Sequence, residues 1–134
     1  MNLKILIIDD DEVVVFIQKK LLAKNEISNN PMVFKSVSPA LDFIASEDGN
    51  KEFLILLDIN MPGMNGWDFL EELSKKPDKD RFHVIMVTSS VEQRDKEKAS
   101  KYSMVREFLE KPITNECCKK MKDIPEISHF FVKV

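Results

Sequence analysis

The sequence lacks an apolar run long enough to cross a membrane. Its longer apolar stretches, such as residues 53–57, are far shorter than the roughly 20 residues that a spanning helix needs. The N-terminus reaches acidic residues by Asp9 without the pattern of a secretory signal. These absences exclude a membrane protein by the usual criteria, and we expect the chain to lie in the cytoplasm.

The sequence also has few cysteines and no excess of basic charge. The two cysteines, Cys117 and Cys118, are adjacent, which suits neither a disulfide framework nor a zinc site, so we interpret them as helix residues. The net charge of -3 gives no general attraction to nucleic acid, which is bound through clustered Lys and Arg. The short basic run at 119–122 is interpreted as a solvated helix face. We therefore expect neither nucleic acid nor a membrane as a partner.

No linker, internal repeat or low-complexity segment divides the 134 residues, which fit a single domain. Apolar runs alternate along the chain with longer amphipathic stretches, and this alternation predicts an α/β fold with a parallel sheet covered by helices on both faces. The sequence predicts five strands, at Lys4–Ile8, Met32–Ser36, Phe53–Leu57, His83–Thr88 and Arg106–Leu109.

Five helices are predicted between and after these strands. The first follows from the helical spacing of Val13, Ile17 and Leu21, although the run 13–15 would by propensity also suit a strand. The second is expected to open at Pro39. The others are predicted from Trp67 until shortly before Pro77, over about 91–101, and over about 114–122.

The sequence of the C-terminal segment, residues 125–134, is compatible with either a helix or a strand. Ile127, Phe130, Phe131 and Val134 have helical spacing, yet their composition is equally typical of a strand. We divide the chain into a domain at 1–124 and a tail at 125–134. The tail either packs on its own domain or provides a surface for a partner or for self-association.

Polar residues stand directly after four of the predicted strands. In an open parallel sheet, ligands bind beyond the carboxyl ends of the strands, so these side chains should meet at one edge. Asp58 is the most telling, since it follows five apolar residues and a buried strand does not end in a charge without a reason. The residues expected at this edge are Asp9, Asp10, Asp11, Asp58, Thr88, Ser89, Ser90 and Lys111.

This set is suited to phosphoryl transfer. Clustered carboxylates disfavour one another's charge unless a cation lies among them, and Mg²⁺ takes a few carboxylate ligands together with phosphate oxygens. Lys111 supplies a positive charge for a phosphoryl oxygen, the Thr88 hydroxyl supplies a hydrogen-bond donor, and an Asp carboxylate can act as the nucleophile. The structural alternative is that Asp10 or Asp11 only caps the first helix.

The same residues carry a resemblance to a known family. From about Leu3 to Lys122 the sequence resembles the response-regulator receiver domain of two-component signal transduction. The resemblance implies a flavodoxin-like, doubly wound, five-stranded parallel sheet in the strand order 2-1-3-4-5. It rests on four segments in order: Leu3-Lys4-Ile5-Leu6-Ile7-Ile8-Asp9-Asp10, Leu57-Asp58-Ile59-Asn60-Met61-Pro62-Gly63-Met64-Asn65-Gly66, Val87-Thr88-Ser89 and Phe108-Leu109-Glu110-Lys111-Pro112.

The resemblance assigns a role to each residue of the acceptor site. Asp58 is implied to be the phosphoacceptor and Asp10 a direct ligand of Mg²⁺, with Asp9 acting on the metal through water. Asn60 would contribute its backbone carbonyl to the metal, and Lys111 would pair with the phosphoryl group. The bond from Lys111 to Pro112 is implied to be cis, and Pro62 and Gly66 are implied to shape the loop after the acceptor.

The resemblance also implies an output. Thr88 and Phe108 would form a switch that changes the conformation of the surface formed by the fourth helix, fifth strand and fifth helix. The implied phosphodonor is a phosphohistidine on a sensor histidine kinase or a histidine phosphotransfer protein, and the downstream target is unknown. The side chains of Asn60 and Ser90 would affect dephosphorylation. The resemblance thus implies a regulatory phosphoacceptor that is not an enzyme and catalyses only its own phosphorylation and dephosphorylation.

Two alternatives remain at this point. Asp9 to Val13 also resembles the nucleophile motif of haloacid-dehalogenase-type phosphatases, with Asp9 as nucleophile and Asp11 as acid, although that interpretation leaves residues 58–62 without a role. The second alternative is a receiver cut from a longer regulator with a DNA-binding or enzymatic output domain. The apolar tail favours a stand-alone regulator over this alternative.

Overall fold

A computed structural model describes residues 2–47, 49–61, 63, 65–89 and 92–131. No helix within these residues is long and apolar enough to span a bilayer. Strands and helices alternate along the chain, and short 3₁₀ turns occur at Lys79–Arg81 and Ser128–Phe131. The elements are β1 (Leu3–Ile8), α1 (Glu12–Lys24), β2 (Met32–Phe34), α2 (Val37–Ser46), β3 (Glu52–Asp58), α3 (Gly66–Ser74), β4 (Phe82–Thr88), α4 (Gln93–Ala99), β5 (Val105–Glu110) and α5 (Asn115–Lys122).

The five strands form one sheet in the order β2-β1-β3-β4-β5, and every pair of neighbours is parallel. The register aligns the carboxyl ends, since Ile8 lies opposite Leu57 and Asp58 lies opposite Val87. The predicted α/β fold and the strand order implied by the resemblance are confirmed. All parallel strands therefore deliver the residues that follow them to the same edge.

The sheet separates two apolar cores, because successive strand residues point to opposite faces. On β3, Phe53, Ile55 and Leu57 pack beneath α2, α3 and α4. Leu54 and Leu56 of the same strand pack beneath α1, α5 and the C-terminal segment. Helices on both faces bury this central strand, which explains why it is a continuous apolar run.

Some predicted boundaries were wrong by a few residues. β2 ends at Phe34 and does not reach Ser36, because Ser36 already precedes the first residue of α2. Pro39 is the third residue of α2 and not its first. Proline is tolerated there because the first turn of a helix needs no backbone N–H donor at that position. The predicted start of the fourth helix at Val91 lies outside the described residues.

The first helix is confirmed, but two of the three residues that predicted it face outward, while Leu21 packs half-buried against the core. Val13 is 68% exposed and Ile17 is 37% exposed, whereas Gln18 and Leu22 are the buried residues of α1. Apolar residues occur all around this helix, so spacing alone could not identify its buried face. Asp11, and not Asp10, is the N-cap of α1, because its side chain accepts hydrogen bonds from the N–H groups of residues 13 and 14.

The C-terminal segment lies against the α1–α5 core as far as the structure describes it. Ile127 is fully buried, and Phe130 and Phe131 are half-buried against the same core as Leu22. Val134, the last member of the predicted pattern, lies outside the described residues. Cys117 and Cys118 lie on α5, as predicted.

Candidate functional site

Asp58 is the last residue of β3 and lies opposite Val87 of β4. Its side chain is largely buried, and Oδ1 accepts a hydrogen bond of 3.2 Å from the backbone N–H of Asn60. Burial raises the pKa of Asp58 above its usual value, and the neighbouring charge of Asp9 adds to the rise, while Lys111 opposes it. The surroundings of Asp58 therefore disfavour its charged form relative to water.

Two further carboxylates follow β1 at the same edge. Asp9 is 2% exposed, and its Oδ1 accepts a hydrogen bond of 2.9 Å from the N–H of Asp11. Asp10 is exposed at the rim. Asp9, Asp10 and Asp58 can each offer an oxygen within 4.8 Å of the others, so the predicted convergence of the acidic residues is found.

Lys111 comes from the loop after β5 and reaches into this acidic group. Its Nζ lies 2.8 Å from Asp9 Oδ2 and 3.5 Å from Asp58 Oδ2. Burial alone would lower the pKa of Lys111, but the two carboxylates outweigh burial and raise it above its usual value. The ammonium is therefore charged, and the Lys111–Pro112 bond beside it is cis, as the resemblance implied.

The chemistry of these groups fits a divalent cation. Three carboxylates face one ammonium, so negative charge is in excess. Asp9 Oδ2 is buried, and its close contact within the described residues is the ion pair of 2.8 Å with Lys111 Nζ. Hard oxygen ligands with uncompensated charge are what Mg²⁺ binds. Asn60, on the loop that follows β3, is exposed at the same rim.

Thr88 and Phe108 lie on one face of the sheet. Thr88 ends β4 and is 1% exposed, and its carbonyl accepts a hydrogen bond of 2.7 Å from the N–H of Lys111. Phe108 lies on β5 opposite Met86 and packs partly buried against the core beneath α3 and α4. Alternation along β4 places Thr88 on this same face as Met86. The predicted pair thus lies on neighbouring strands.

Gly66 places the start of α3 directly against Asp58. A Cβ on Gly66 would lie 2.9 Å from the carbonyl oxygen of Asp58, which leaves room only for glycine. The Gly66 N–H donates to the carbonyl of Ile59 at 3.1 Å, and Asn65 caps α3 in a capping box with Asp68. Pro62 and Ser90, which the resemblance also placed here, lie outside the described residues.

A cleft of about 440 Å³ opens from these charged groups and runs between α1 and the loop after β5. It contains one residue that sequence reasoning missed. Gln18 is 2% exposed, and its Oε1 has no hydrogen-bond partner within the described part of the chain. Nothing in the sequence distinguished Gln18 from an exposed polar helix residue. The lining residues are Asp10, Asp11, Val14, Ile17, Gln18, Asp58, Asn60, Ser89, Lys111, Pro112 and Ile113.

The geometry disfavours the phosphatase alternative. That interpretation needs Asp11 as an acid at the reacting atoms, but the Asp11 carboxylate accepts hydrogen bonds from the first turn of α1. The Asp11 carboxylate is therefore occupied in a way that the alternative does not require.

Comparisons with known proteins agree with the family resemblance seen in the sequence. The model of the response regulator receiver domain family matches residues 5–122. The chain is 29% identical to protein PilH of Pseudomonas aeruginosa over 113 residues, which are 84% of this chain and 88% of PilH. It is 27% identical to the sensory/regulatory protein RpfC of Xanthomonas campestris over 84% of its own length but only 15% of that longer protein.

The fold is shared with a solved protein of the same kind. The crystal structure of a two-component response regulator from Cytophaga hutchinsonii matches with a TM-score of 0.82 and 26% sequence identity, covering 90% of this chain and 94% of that one. The family match spans nearly all of the described elements, from β1 to α5. This chain belongs to the response regulator receiver domain family.

Proposed function

We propose that the chain is the phosphoacceptor switch of a two-component phosphorelay. Asp58 takes a phosphoryl group from a phosphohistidine on a sensor histidine kinase or histidine phosphotransfer protein, in the presence of Mg²⁺. The observation that carries this proposal is the meeting of three carboxylates with Lys111 at one edge of the sheet, with Nζ 2.8 Å and 3.5 Å from Asp9 and Asp58.

The transfer is a substitution at phosphorus. A carboxylate oxygen of Asp58 forms the new O–P bond, and the P–N bond to the imidazole breaks. The leaving nitrogen keeps the bonding electron pair and takes up a proton. The raised pKa of Asp58 reflects a carboxylate that is poorly compensated before reaction, so bringing it against an electrophilic phosphorus relieves an unfavourable environment.

Mg²⁺ would be held by the carboxylates of Asp10 and Asp58 and the Asn60 backbone carbonyl, with Asp9 acting through water. When bound, Mg²⁺ supplies charge neutralisation for the transferring group. Lys111 supplies the second positive charge, because its ammonium already lies 3.5 Å from the accepting carboxylate. The Asn60 N–H holds the Asp58 carboxylate in one orientation.

We propose that Thr88 and Phe108 convert the modification into a signal. The Thr88 hydroxyl turns toward the phosphoryl oxygens, and Phe108 moves inward on the same face of the sheet. The hydrogen bond from the Lys111 N–H to the Thr88 carbonyl supports a coupling between the lysine loop and the switch. The surface of α4, β5 and α5 then differs between the two states, and a downstream protein reads it.

A small phosphodonor tests this assignment without a known kinase. The chain is incubated with phosphoramidate, with Mg²⁺ or with EDTA, and its intact mass is measured. We expect one added phosphoryl group with Mg²⁺ and none with EDTA, and none in Asp58→Asn under either condition. Asp9→Asn serves as the matched variant, since it removes the other buried carboxylate but keeps the nucleophile. A label that persists in Asp58→Asn contradicts the proposal.

A further inference from the structure

Helix α4 is attached to the molecule by much less buried surface than its neighbour α3. In α3, Phe69, Leu70 and Leu73 are fully buried, and a capping box fixes the start of the helix. Of the seven residues of α4, Ala99 is the buried one, and the side chain of Glu92 before the helix makes no capping hydrogen bond. A short helix with so little buried surface has low local stability. Of the two helices, α4 is therefore the one expected to move.

Two side-chain contacts join α4 and the turn that follows it to α3. The Lys98 ammonium lies 4.5 Å from the centroid of the Trp67 ring. The Tyr102 hydroxyl donates a hydrogen bond of 2.8 Å to Glu71 Oε2. The partners on each side are four residues apart in sequence, so the two contacts lie about one helical turn from each other. We call these two contacts the α3–α4 clasp.

The α3 side of the clasp is fixed to the acceptor residue. Gly66 directly precedes Trp67, and it packs so closely on the Asp58 carbonyl that a Cβ would lie 2.9 Å from the oxygen. The Gly66 N–H also donates to the carbonyl of Ile59 at 3.1 Å. The clasp therefore connects the end of β3 with α4, which belongs to the surface that the proposed function assigns to signalling.

We propose that the α3–α4 clasp is a restraint that holds α4 in the arrangement of the unmodified acceptor and thereby opposes phosphorylation of Asp58. This inference rests on the proposed function, in which the surface of α4, β5 and α5 changes with the modification. Both contacts belong to the arrangement in which the Asp58 carboxylate pairs directly with Lys111. Contacts made in one arrangement alone stabilise it, and linkage requires that they weaken the binding of any ligand that favours the other.

Reversible binding of beryllium fluoride with Mg²⁺ tests the restraint, because beryllium fluoride on a carboxylate imitates a phosphoryl group. Isothermal titration calorimetry measures its affinity for the full chain. Lys98→Gln removes the cation from the Trp67 ring and should raise the affinity about two- to fivefold, the size of an exposed cation–π contact. Lys98→Arg keeps a cation over the ring and should bind like the unaltered chain. Lys96→Gln is the matched control, since it removes an equal charge from an exposed position of the same helix outside the clasp.

Tyr102→Phe tests the second contact of the clasp. It removes the hydroxyl that donates to Glu71 and keeps the ring against the core beneath α3 and α4. The affinity for beryllium fluoride should rise about two- to tenfold, as expected for the loss of one hydrogen bond. Glu71→Gln keeps an oxygen that accepts from the hydroxyl and should change the affinity less. The double variant of Lys98→Gln and Tyr102→Phe should show about the product of the two single changes.

The direction of the change separates a restraint from a merely structural contact. Urea denaturation should show that Lys98→Gln and Tyr102→Phe are slightly less stable, although they bind beryllium fluoride more tightly. Unchanged or weaker binding in either variant, or an equal rise in Lys96→Gln, overturns the restraint and leaves the proposed function intact. If the unaltered chain does not bind beryllium fluoride, or Asp58→Asn binds it equally well, the proposed function fails and the restraint fails with it.

Discussion

The two ends of the sheet both bury charged groups, but they satisfy them differently. At the carboxyl end, three carboxylates lie close to one another, and the Lys111 ammonium pairs with two of them, Asp9 and Asp58. At the amino end, His83 is 1% exposed, yet both of its ring nitrogens are paired, with Glu52 at 2.8 Å and with Arg106 Nε at 3.2 Å. Of these two groups of described residues, the one at the carboxyl end has an excess of negative charge.

This difference separates a site built for a ligand from a site built for stability. The Nε–H of Arg106 donates to Nδ1 of His83, so the proton of the neutral ring lies on Nε2 and donates to Glu52. A shift in register between β4 and β5 beside this residue accompanies the contact. The network is complete without any added ion, whereas under the proposed function a cation and a phosphoryl group would complete the acidic end.

The largest expected effect is at the carboxyl end. Asp58→Asn should abolish labelling by phosphoramidate, because an amide cannot act as the nucleophile. The same change should raise the free energy of unfolding by about 1 kcal/mol, because it removes a carboxylate that burial and Asp9 disfavour. Urea denaturation measures the second effect, and a strong loss of stability in Asp58→Asn would contradict the account of this end.

At the amino end, His83→Leu should lower the free energy of unfolding by about 2–3 kcal/mol and leave labelling intact. The substitution leaves the half-buried Arg106 and Glu52 without their central partner. Glu52→Gln is the matched control, since an amide oxygen still accepts from His83, and it should cost less than about 1 kcal/mol. Loss of labelling in a folded His83→Leu would show that the two ends are not independent.

Mg²⁺ should act on one end only. Saturation to about 100 times the dissociation constant should stabilise the chain by about 2.7 kcal/mol, because the ion binds the folded state alone. Thermal unfolding with Mg²⁺ and with EDTA measures the shift. Asp10→Asn should remove most of it, and His83→Leu should keep it. An equal shift in Asp10→Asn would place the ion elsewhere.

The smallest expected effect is the pH dependence of the amino end. Burial lowers the pKa of His83 below its ordinary value of 6.5, with Glu52 opposing the shift. Below about pH 6.5 the unfolded chain therefore takes up a proton that the folded chain does not, and stability falls as the pH falls until the folded pKa is passed. Denaturation between about pH 7.5 and about pH 5.5 should show this loss, reduced in His83→Gln. An unchanged slope in that variant assigns the loss to other groups.

Much of the fold follows from the sequence because the central strands are buried on both faces. β3 contains a continuous apolar run and β4 is apolar apart from His83 and Thr88, and their predicted positions are confirmed within one residue at each end. α1 shows the limit of such reasoning. Its apolar residues point both inward and outward, so the spacing of Val13 and Ile17 predicted the helix correctly without indicating which face is buried.

The site was predictable where residue type and strand position agree. Asp58 could be found because a charge at the end of an apolar strand has few structural explanations, and the structure does bring Asp9, Asp10 and Lys111 to it. Gln18 could not be found, because its burial depends on how α1 rotates against the sheet. The paired state of His83 also depends on tertiary contacts, since Glu52 and Arg106 lie on other strands.

The central claim is that Asp58, and no other carboxylate at this edge, accepts the phosphoryl group. Borohydride reduction of the chain after labelling with phosphoramidate and Mg²⁺ converts an aspartyl phosphate into homoserine, and peptide mass spectrometry locates it. We predict homoserine at position 58, with Asp9 and Asp10 unchanged. Homoserine at position 9 with Asp58 intact would contradict the account.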